Sequence, residues 1–308
     1  MLSLFKRIPV FIGVILYMLS MTAFAQSSKL NKDFTQLENS FNGKLGIYAI
    51  NTENNMTLEH HDNEYFPFQS TVKVIIVADI LKKSMTDPHL LQEKIYYPHQ
   101  KLYYWSPITE KHVAEGMTVE ALCKAAIMYS DNTAANLLIA KLGGPQAVTD
   151  FAHSIGNKVF QLNHIETLLN SVGGVQDDSS TPKEMAFTLK KLILGAVLAA
   201  PQRDLLVTWM KGNTTGEKRI RAGVQKGWIV ADKTGSGDYG VTNDIAVIWP
   251  PHCAPLVITI YFVRSKQDDL KQEAALASAT RLIITTFSQF DGCLKKAEYS
   301  GLGRKYEI

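Results

Sequence analysis

Two runs in which apolar and polar residues alternate, Lys44–Asn51 and Met56–His61, stand on either side of the polar turn Thr52-Glu53-Asn54-Asn55 and predict two strands. From Thr71 to Lys83 the chain is almost continuously apolar, with Val72, Ile75, Ile76, Ile80 and Leu81. A helix apolar nearly all round is a buried central helix. Thr118 stands where an N-cap is needed for a helix over Val119–Met128. A second helix is expected from about Thr133 to Gly143-Gly144, and Pro145 begins a third that Gly156 ends. Thr181-Pro182-Lys183-Glu184 is a capping box with proline at the first helical position, and Pro201 starts another helix that runs toward Gly212. Beyond Gly212 three β-rich runs follow: Trp228–Thr234, Asn243–Trp249 and Leu256–Val263. Short turns between them predict antiparallel neighbours, and a last helix is expected from about Gln267 to Phe290. The sheet must therefore be assembled from both chain ends. The predicted fold class is α/β: an antiparallel sheet flanked by helices, with an inserted all-α lobe. The expected division is an α/β lobe of 26–65 and 213–308, and a helical lobe of 66–212, within a single domain.

The first 25 residues follow a different pattern. Lys6 and Arg7 precede a mainly apolar run from Ile8 to Leu19, and Ala23-Phe24-Ala25 supplies an A-x-A cleavage site. These are the three parts of a secretory signal peptide, with cleavage expected after Ala25. The apolar run is shorter than the ~20 residues of a spanning helix, so no membrane anchor is expected once the segment is removed. The chain has 308 residues, 46% apolar and 20% charged, with a net charge of +3. Loss of Lys6 and Arg7 brings that to about +1. A charge so near zero provides no electrostatic footprint for nucleic acid. The histidines form no H-x-x-x-H or H-x-H pair, although His60 and His61 are adjacent, and no metal site is expected. Cys123, Cys253 and Cys293 are too widely spaced for a zinc knuckle or a redox C-x-x-C.

Three short motifs carry chemistry. In Ser70-Thr71-Val72-Lys73 the i, i+3 spacing at a helix start puts a hydroxyl and an amine on one face. There the helix dipole favours a developing oxyanion, and an amine of depressed pKa can take a serine proton. Ser130-Asp131-Asn132 interrupts two helical stretches and offers a hydroxyl to pass a proton and an amide to hold a carbonyl. Lys233-Thr234-Gly235 ends a strand, with a cation and hydroxyl suited to a carboxylate and a glycine that lets a ligand approach the backbone. Taken singly each has a plainer explanation: a capping serine with a solvated lysine, a helix-to-helix turn, an edge-strand lysine with a turn glycine.

Together, in this order, the three motifs resemble those of class A serine β-lactamases and penicillin-binding proteins. The likeness to the class A enzymes runs from about Leu45 to the last helix. It takes in Glu166-Thr167-Leu168-Leu169-Asn170, Asn213-Thr214-Thr215-Gly216 and Asp232–Gly240, and Thr242–Pro250 is similar to the CTX-M and KPC branches. The resemblance implies that Ser70 attacks the lactam carbonyl to form an acyl-enzyme. Lys73 and Glu166 both remain candidates for the acylation base. Glu166 with Asn170 is implied to hold the deacylating water, Ser130 to protonate the lactam nitrogen, and Asn132 to hold the acylamide side chain. Lys233, Thr234 and Ser236 are implied to bind the ring carboxylate, with Gly235 in the same strand and Arg219 in support. The N–H groups of Ser70 and Ser236 are implied to form the oxyanion hole. Trp105 resembles the aromatic residue at the pocket mouth.

The implied activity is hydrolysis of penicillins and cephalosporins, including oxyimino-cephalosporins, by a periplasmic monomer that needs no cofactor and confers antibiotic resistance. The alternatives are a penicillin-binding D,D-peptidase and a β-lactam sensor domain; Glu166 with Asn170 argues against the peptidase, and a cleavable signal in place of a membrane tether argues against the sensor. Several positions depart from the family pattern. His164 replaces an arginine that usually pairs with an aspartate, here Asp178, which predicts a more mobile loop around Glu166. Val77 stands where the usual partner of Cys123 would be, and Gln69 and Gly237 replace a cysteine pair. The final helix must run back antiparallel to the last strand, which brings Cys253 and Cys293 to one end of the sheet. A Cys253–Cys293 bridge is therefore expected, with Cys123 buried and free.

Overall fold

All the strands of the main sheet pair antiparallel, and the order in space is not the order in sequence. The structure, a computed structural model, describes residues 29–169, 176–238, 240–264 and 270–302. The predicted signal peptide lies outside them. Strands β1 (Gly43–Asn51), β2 (Thr57–His60), β7 (Ile229–Gly237), β8 (Val241–Trp249) and β9 (Leu256–Arg264) form a five-stranded sheet in the order β2-β1-β9-β8-β7. The central pair, β1 with β9, joins the two chain ends in register from Gly43 opposite Arg264 to Asn51 opposite Leu256. Two short ribbons complete the strands: β3 (Phe66–Pro67) with β6 (Ser179–Ser180), and β4 (Lys94–Ile95) with β5 (Met117–Thr118).

Because strand side chains alternate between faces, the sheet serves two cores. Tyr48, Ile50, Ile245, Val247 and Tyr261 face inward and join the apolar cluster of the helical lobe. Leu45, Ile47, Ile248, Ile258 and Ile260 face the other way. They are covered by helix α1 (29–41) and by α9 (Glu273–Phe290) and α10 (Gly292–Leu302).

The inserted lobe is built around α2 (Lys73–Ser84), whose residues Val74 to Leu81 are all buried. Around it lie α3 (Val119–Met128), α4 (Asn132–Leu142), α5 (Pro145–Ser154) and α7 (Ala200–Lys211). Helix α6 (Pro182–Ile193) packs on β1, β8 and β9, so the sheet's inner face meets the lobe through it. The expected caps form: Thr118 accepts from Ala121 N–H at 3.2 Å and Thr181 from Glu184 N–H at 3.3 Å. Gly143 closes α4 in the left-handed region at φ 108°, where a side chain would be strained.

The strand expectations hold with shifts of one to three residues at the ends. Two helical expectations are corrected. The chain's described part opens on α1, not on a strand: Leu30, Phe34, Leu37 and Phe41 recur at helical spacing and pack on the sheet's outer face. The expected last helix begins at Glu273, not near Gln267, and it is not the last, because α10 follows with Cys293 in its first turn. Asp291 breaks the chain direction in an extended conformation, and its carboxylate then accepts the Cys293 and Leu294 N–H groups. Cys253 and Cys293 are disulfide-bonded, and Cys123 is buried and free, as expected.

Candidate active site

The three motifs meet where α2, the α3–α4 junction and the end of β7 converge. Ser70 lies in a single 3-10 turn, Gln69–Val72, that runs straight into α2 and so puts Lys73 one turn further along the same face. Gln69 is held at φ 47° and Ser130 at φ 57°. Non-glycine residues rarely occupy this left-handed region, and such strain gathers at functional sites. At Ser130 it turns both the carbonyl and the hydroxyl toward Lys73. Asp131 caps α4 and also accepts the Ile108 and Thr109 N–H groups at 3.0 and 2.9 Å, which ties the Trp105 loop to the junction.

Lys73 is wholly buried. Its Nζ donates to Ser70 Oγ at 2.9 Å, Ser130 O at 2.8 Å and Asn132 Oδ1 at 2.6 Å, and lies 3.0 Å from Glu166 Oε1. Four acceptors surround an ammonium with three protons. Burial pushes the Lys73 pKa down, and the Glu166 carboxylate opposes that. Ser70 Oγ itself donates to Glu166 Oε1 at 3.0 Å. Glu166 is positioned by Asn136 of α4, which accepts the Glu166 N–H at 2.9 Å and donates to its carbonyl at 2.6 Å. The peptide bond that follows, Glu166–Thr167, is cis.

Lys233 is buried in β7 and donates to Ser130 Oγ at 3.0 Å and to Thr234 O at 2.8 Å. Burial, and then the neighbouring Lys73, holds its pKa well below the usual lysine value. Ser130 Oγ thus receives hydrogen bonds from two lysines, Lys233 and, at 3.4 Å, Lys73. Thr234 Oγ1 is hydrogen-bonded to Thr215 Oγ1. Gly235 lies so close to the Ser70 turn that a Cβ there would stand 2.7 Å from Phe68 O and 3.2 Å from Ser70 N.

Arg219 is only 2% exposed. It donates to Gly235 O, Asn243 O and Ser236 Oγ, each at 2.7 Å, so its guanidinium is tied to the end of β7 and to β8. Behind it Asp244 is buried, its pKa raised well above the usual value by burial and then by Asp232. Asp232 is tied by Arg221 at 2.7 Å and Asn213 at 2.7 Å. Asn132 Nδ2 donates to Tyr104 O at 2.8 Å. Trp105 is 53% exposed, with its indole N–H bonded to Tyr129 O at 3.0 Å.

The loop bearing Glu166 is closed at its base by Asp178, which accepts from Asn163 N–H, His164 N–H and the His164 ring, the last at 2.8 Å. The pairing of His164 with Asp178 is as expected. Asn170 lies outside the described residues.

This arrangement has known counterparts. Residues 29–287 match the profile of the Beta-lactamase enzyme family. The chain is 47% identical over 269 residues to Beta-lactamase Toho-1 of Escherichia coli, covering 87% of this chain and 92% of that one. The chain belongs to the Beta-lactamase enzyme family. Beta-lactamase OXY-2 of Klebsiella oxytoca is 45% identical over 88% of this chain and 94% of its own. Among solved structures, a class A β-lactamase from Mycobacterium abscessus superposes with a TM-score of 0.82 at 43% identity, covering 84% of this chain and 99% of that one. A β-lactamase from Burkholderia phymatum gives 0.83 at 44% identity, over 85% and 99%. The protein is thus a β-lactam-hydrolysing enzyme of class A, an activity that underlies antibiotic resistance.

Sequence reasoning did not single out Asn136, Thr215 or Asn213 individually as parts of the site. Asn136 follows Asn132 by four residues, on the same face of one helix, and that spacing was the available signal.

Proposed function

We propose that the enzyme opens the lactam ring through a serine acyl-enzyme, with Ser70 as nucleophile. The observation that carries this reading is the placement of Ser70 Oγ, 2.9 Å from Lys73 Nζ and 3.0 Å from Glu166 Oε1. A carboxylate can only accept, so the Ser70 proton points at Glu166 while Lys73 donates to the same oxygen. In this arrangement Glu166 takes the serine proton and Lys73 steadies the forming alkoxide. The N–H groups of Ser70 and Ser236 face the carbonyl oxygen as it becomes an oxyanion, and one such donor is typically worth ~2.7–4 kcal/mol. Ser130 is hydrogen-bonded by both lysines, which leaves its own proton free for the departing lactam nitrogen. Glu166, with Asn170, then activates the water that hydrolyses the ester.

Asn132 holds the substrate's acylamide, and Lys233, Thr234 and Ser236 hold its ring carboxylate. Arg219 acts through Ser236: by donating to that hydroxyl it leaves the Ser236 proton for the carboxylate. Trp105 forms the wall at the cleft mouth. The likeness of β7 and β8 to the CTX-M enzymes supports an extension of the spectrum to oxyimino-cephalosporins. The reading places the enzyme in the periplasm as a monomer, after cleavage behind Ala25.

The test follows turnover of a penicillin and a chromogenic cephalosporin beside intact-protein mass. The parent is expected to turn over fast. Glu166→Ala is expected to lose about 10²–10⁴-fold in turnover and to retain an acyl adduct that maps to Ser70. A stable adduct on the parent would point instead to a peptidase or sensor and would overturn the role given to Glu166.

A further inference from the structure

At the sheet edge farthest from Ser70, β2 ends in a cluster that the catalytic reading does not use. Consecutive side chains of an extended strand leave on opposite faces. His61 breaks that rule with a left-handed φ of 48°, and its ring turns to the same side as that of His60, with ring centroids 4.3 Å apart. Both face Glu38 of α1. His60 Nε2 lies 3.3 Å from Glu38 Oε1, and His61 Nε2 lies 3.5 Å from the same oxygen.

The two histidine–carboxylate separations are close to those of metal ligands. Atoms bound at about 2.0–2.1 Å around a tetrahedral ion stand about 3.3–3.4 Å apart. One potential ligand atom from each of the three side chains lies within 4.8 Å of the other two. His60 is 9% exposed, yet its Nε2 has no hydrogen bond among the described residues. The Phe34 ring packs 5.4 Å from it. His61 Nδ1 is hydrogen-bonded to Glu64 Oε1 at 2.7 Å, which places the ring proton there and leaves the Nε2 lone pair toward the cluster. Lys44 pairs with Glu64 in turn. Glu38 Oε1 accepts the Leu45 N–H at 2.8 Å and keeps a second lone pair. The cluster borders an open cleft of about 730 Å³ that gives room for entry and for a water in the fourth position.

We propose that Glu38, His60 and His61 bind a divalent transition-metal ion, with zinc the best match to two imidazoles and one carboxylate. The ion clamps α1 to the edge of the sheet. It lies across the sheet from Ser70, so it acts on stability and not on turnover.

The test strips the full protein with a chelator and titrates it with zinc, reading stoichiometry by calorimetry and the melting temperature alongside. One ion per chain is expected, with Tm raised by about 5 °C or more at a hundredfold excess over Kd. X-ray absorption should show only nitrogen and oxygen neighbours at about 2.0–2.1 Å. His61→Ala and Glu38→Gln should each lose at least tenfold in zinc affinity while hydrolysing cephalosporin at the parent rate. Glu38→Gln keeps an acceptor for Leu45, so it tests the charge without removing that bond. No binding to the parent at millimolar zinc, or equal binding in both variants, would overturn the proposal. In the first case the three side chains form only an ion-pair cluster, and in the second the ion sits elsewhere.

Discussion

Asp79 sits in the middle of the buried helix α2, 4% exposed, with its Oδ2 making no hydrogen bond among the described residues. Burial lifts its pKa from the usual 3.8 to about 6, and Lys83, one turn on, only partly offsets that. The sign follows from proton binding. Between pH 4 and 6 the folded protein keeps the Asp79 proton while the unfolded chain releases it, so stability falls as pH rises through this window. The full shift corresponds to at most ~3 kcal/mol, of which roughly 2.5 kcal/mol develops between pH 4 and pH 8. Asp79→Asn cannot ionise. Its amide carries a fixed cost or gain, but that constant cancels when two pH values are compared. Urea unfolding of parent and variant at pH 4, 5, 6, 7 and 8 should therefore show the variant gaining on the parent by up to that amount, mostly above pH 4.5. A stability difference that does not change with pH would refute the argument that this carboxylate is buried without compensation.

Two further substitutions probe the site and the sheet end. Gly235→Ala puts a Cβ against Phe68 O and Ser70 N, which are backbone atoms that cannot rotate away. It should push apart the Ser70 and Ser236 N–H groups proposed as the oxyanion hole and lower kcat/KM by about 10²-fold or more with the circular dichroism spectrum intact, and parent-like kcat/KM would contradict the close approach. Replacing Cys253 and Cys293 together by serine opens a closed loop whose ends are 40 residues apart. It should cost roughly 4 kcal/mol in urea unfolding while catalysis at 25 °C is retained, and an unchanged midpoint would show that the bridge adds nothing.

Much of this molecule was legible along the chain because its signals are local. The capping threonines, the prolines at first helical positions and the continuous apolar run of α2 each act within a few residues, and the helices formed where these signals stood. The catalytic motifs were legible for a similar reason, since each is a short run on one element. What escaped notice depended on partners distant in sequence. Arg219 can be read as a carboxylate ligand from its position after Asn213–Gly216, but only the fold shows that Gly235 O, Asn243 O and Ser236 Oγ take up its donors. His60 and His61 read as an adjacent pair without a ligand spacing until α1 brings Glu38 against them. Helix α1 itself was legible in the spacing of Leu30, Phe34, Leu37 and Phe41, and the polar residues between them obscured it.

The pairing of β1 with β9 sets the schedule on which this protein can become itself. Thr259 Oγ1 donates to Tyr48 O across 211 residues of chain, and β9 is the strand that lies beside β1 on the side away from β2. While the chain grows, β1 has only β2, and a lone two-stranded hairpin is marginal in water. Closing so long a loop carries an entropic cost that only the finished sheet repays, and folds of this kind assemble slowly. A chain cut short anywhere before Leu256 therefore lacks the central strand of its sheet, and leaves both cores without a floor. The five-stranded sheet can therefore close only after its last strand in sequence, β9, is available.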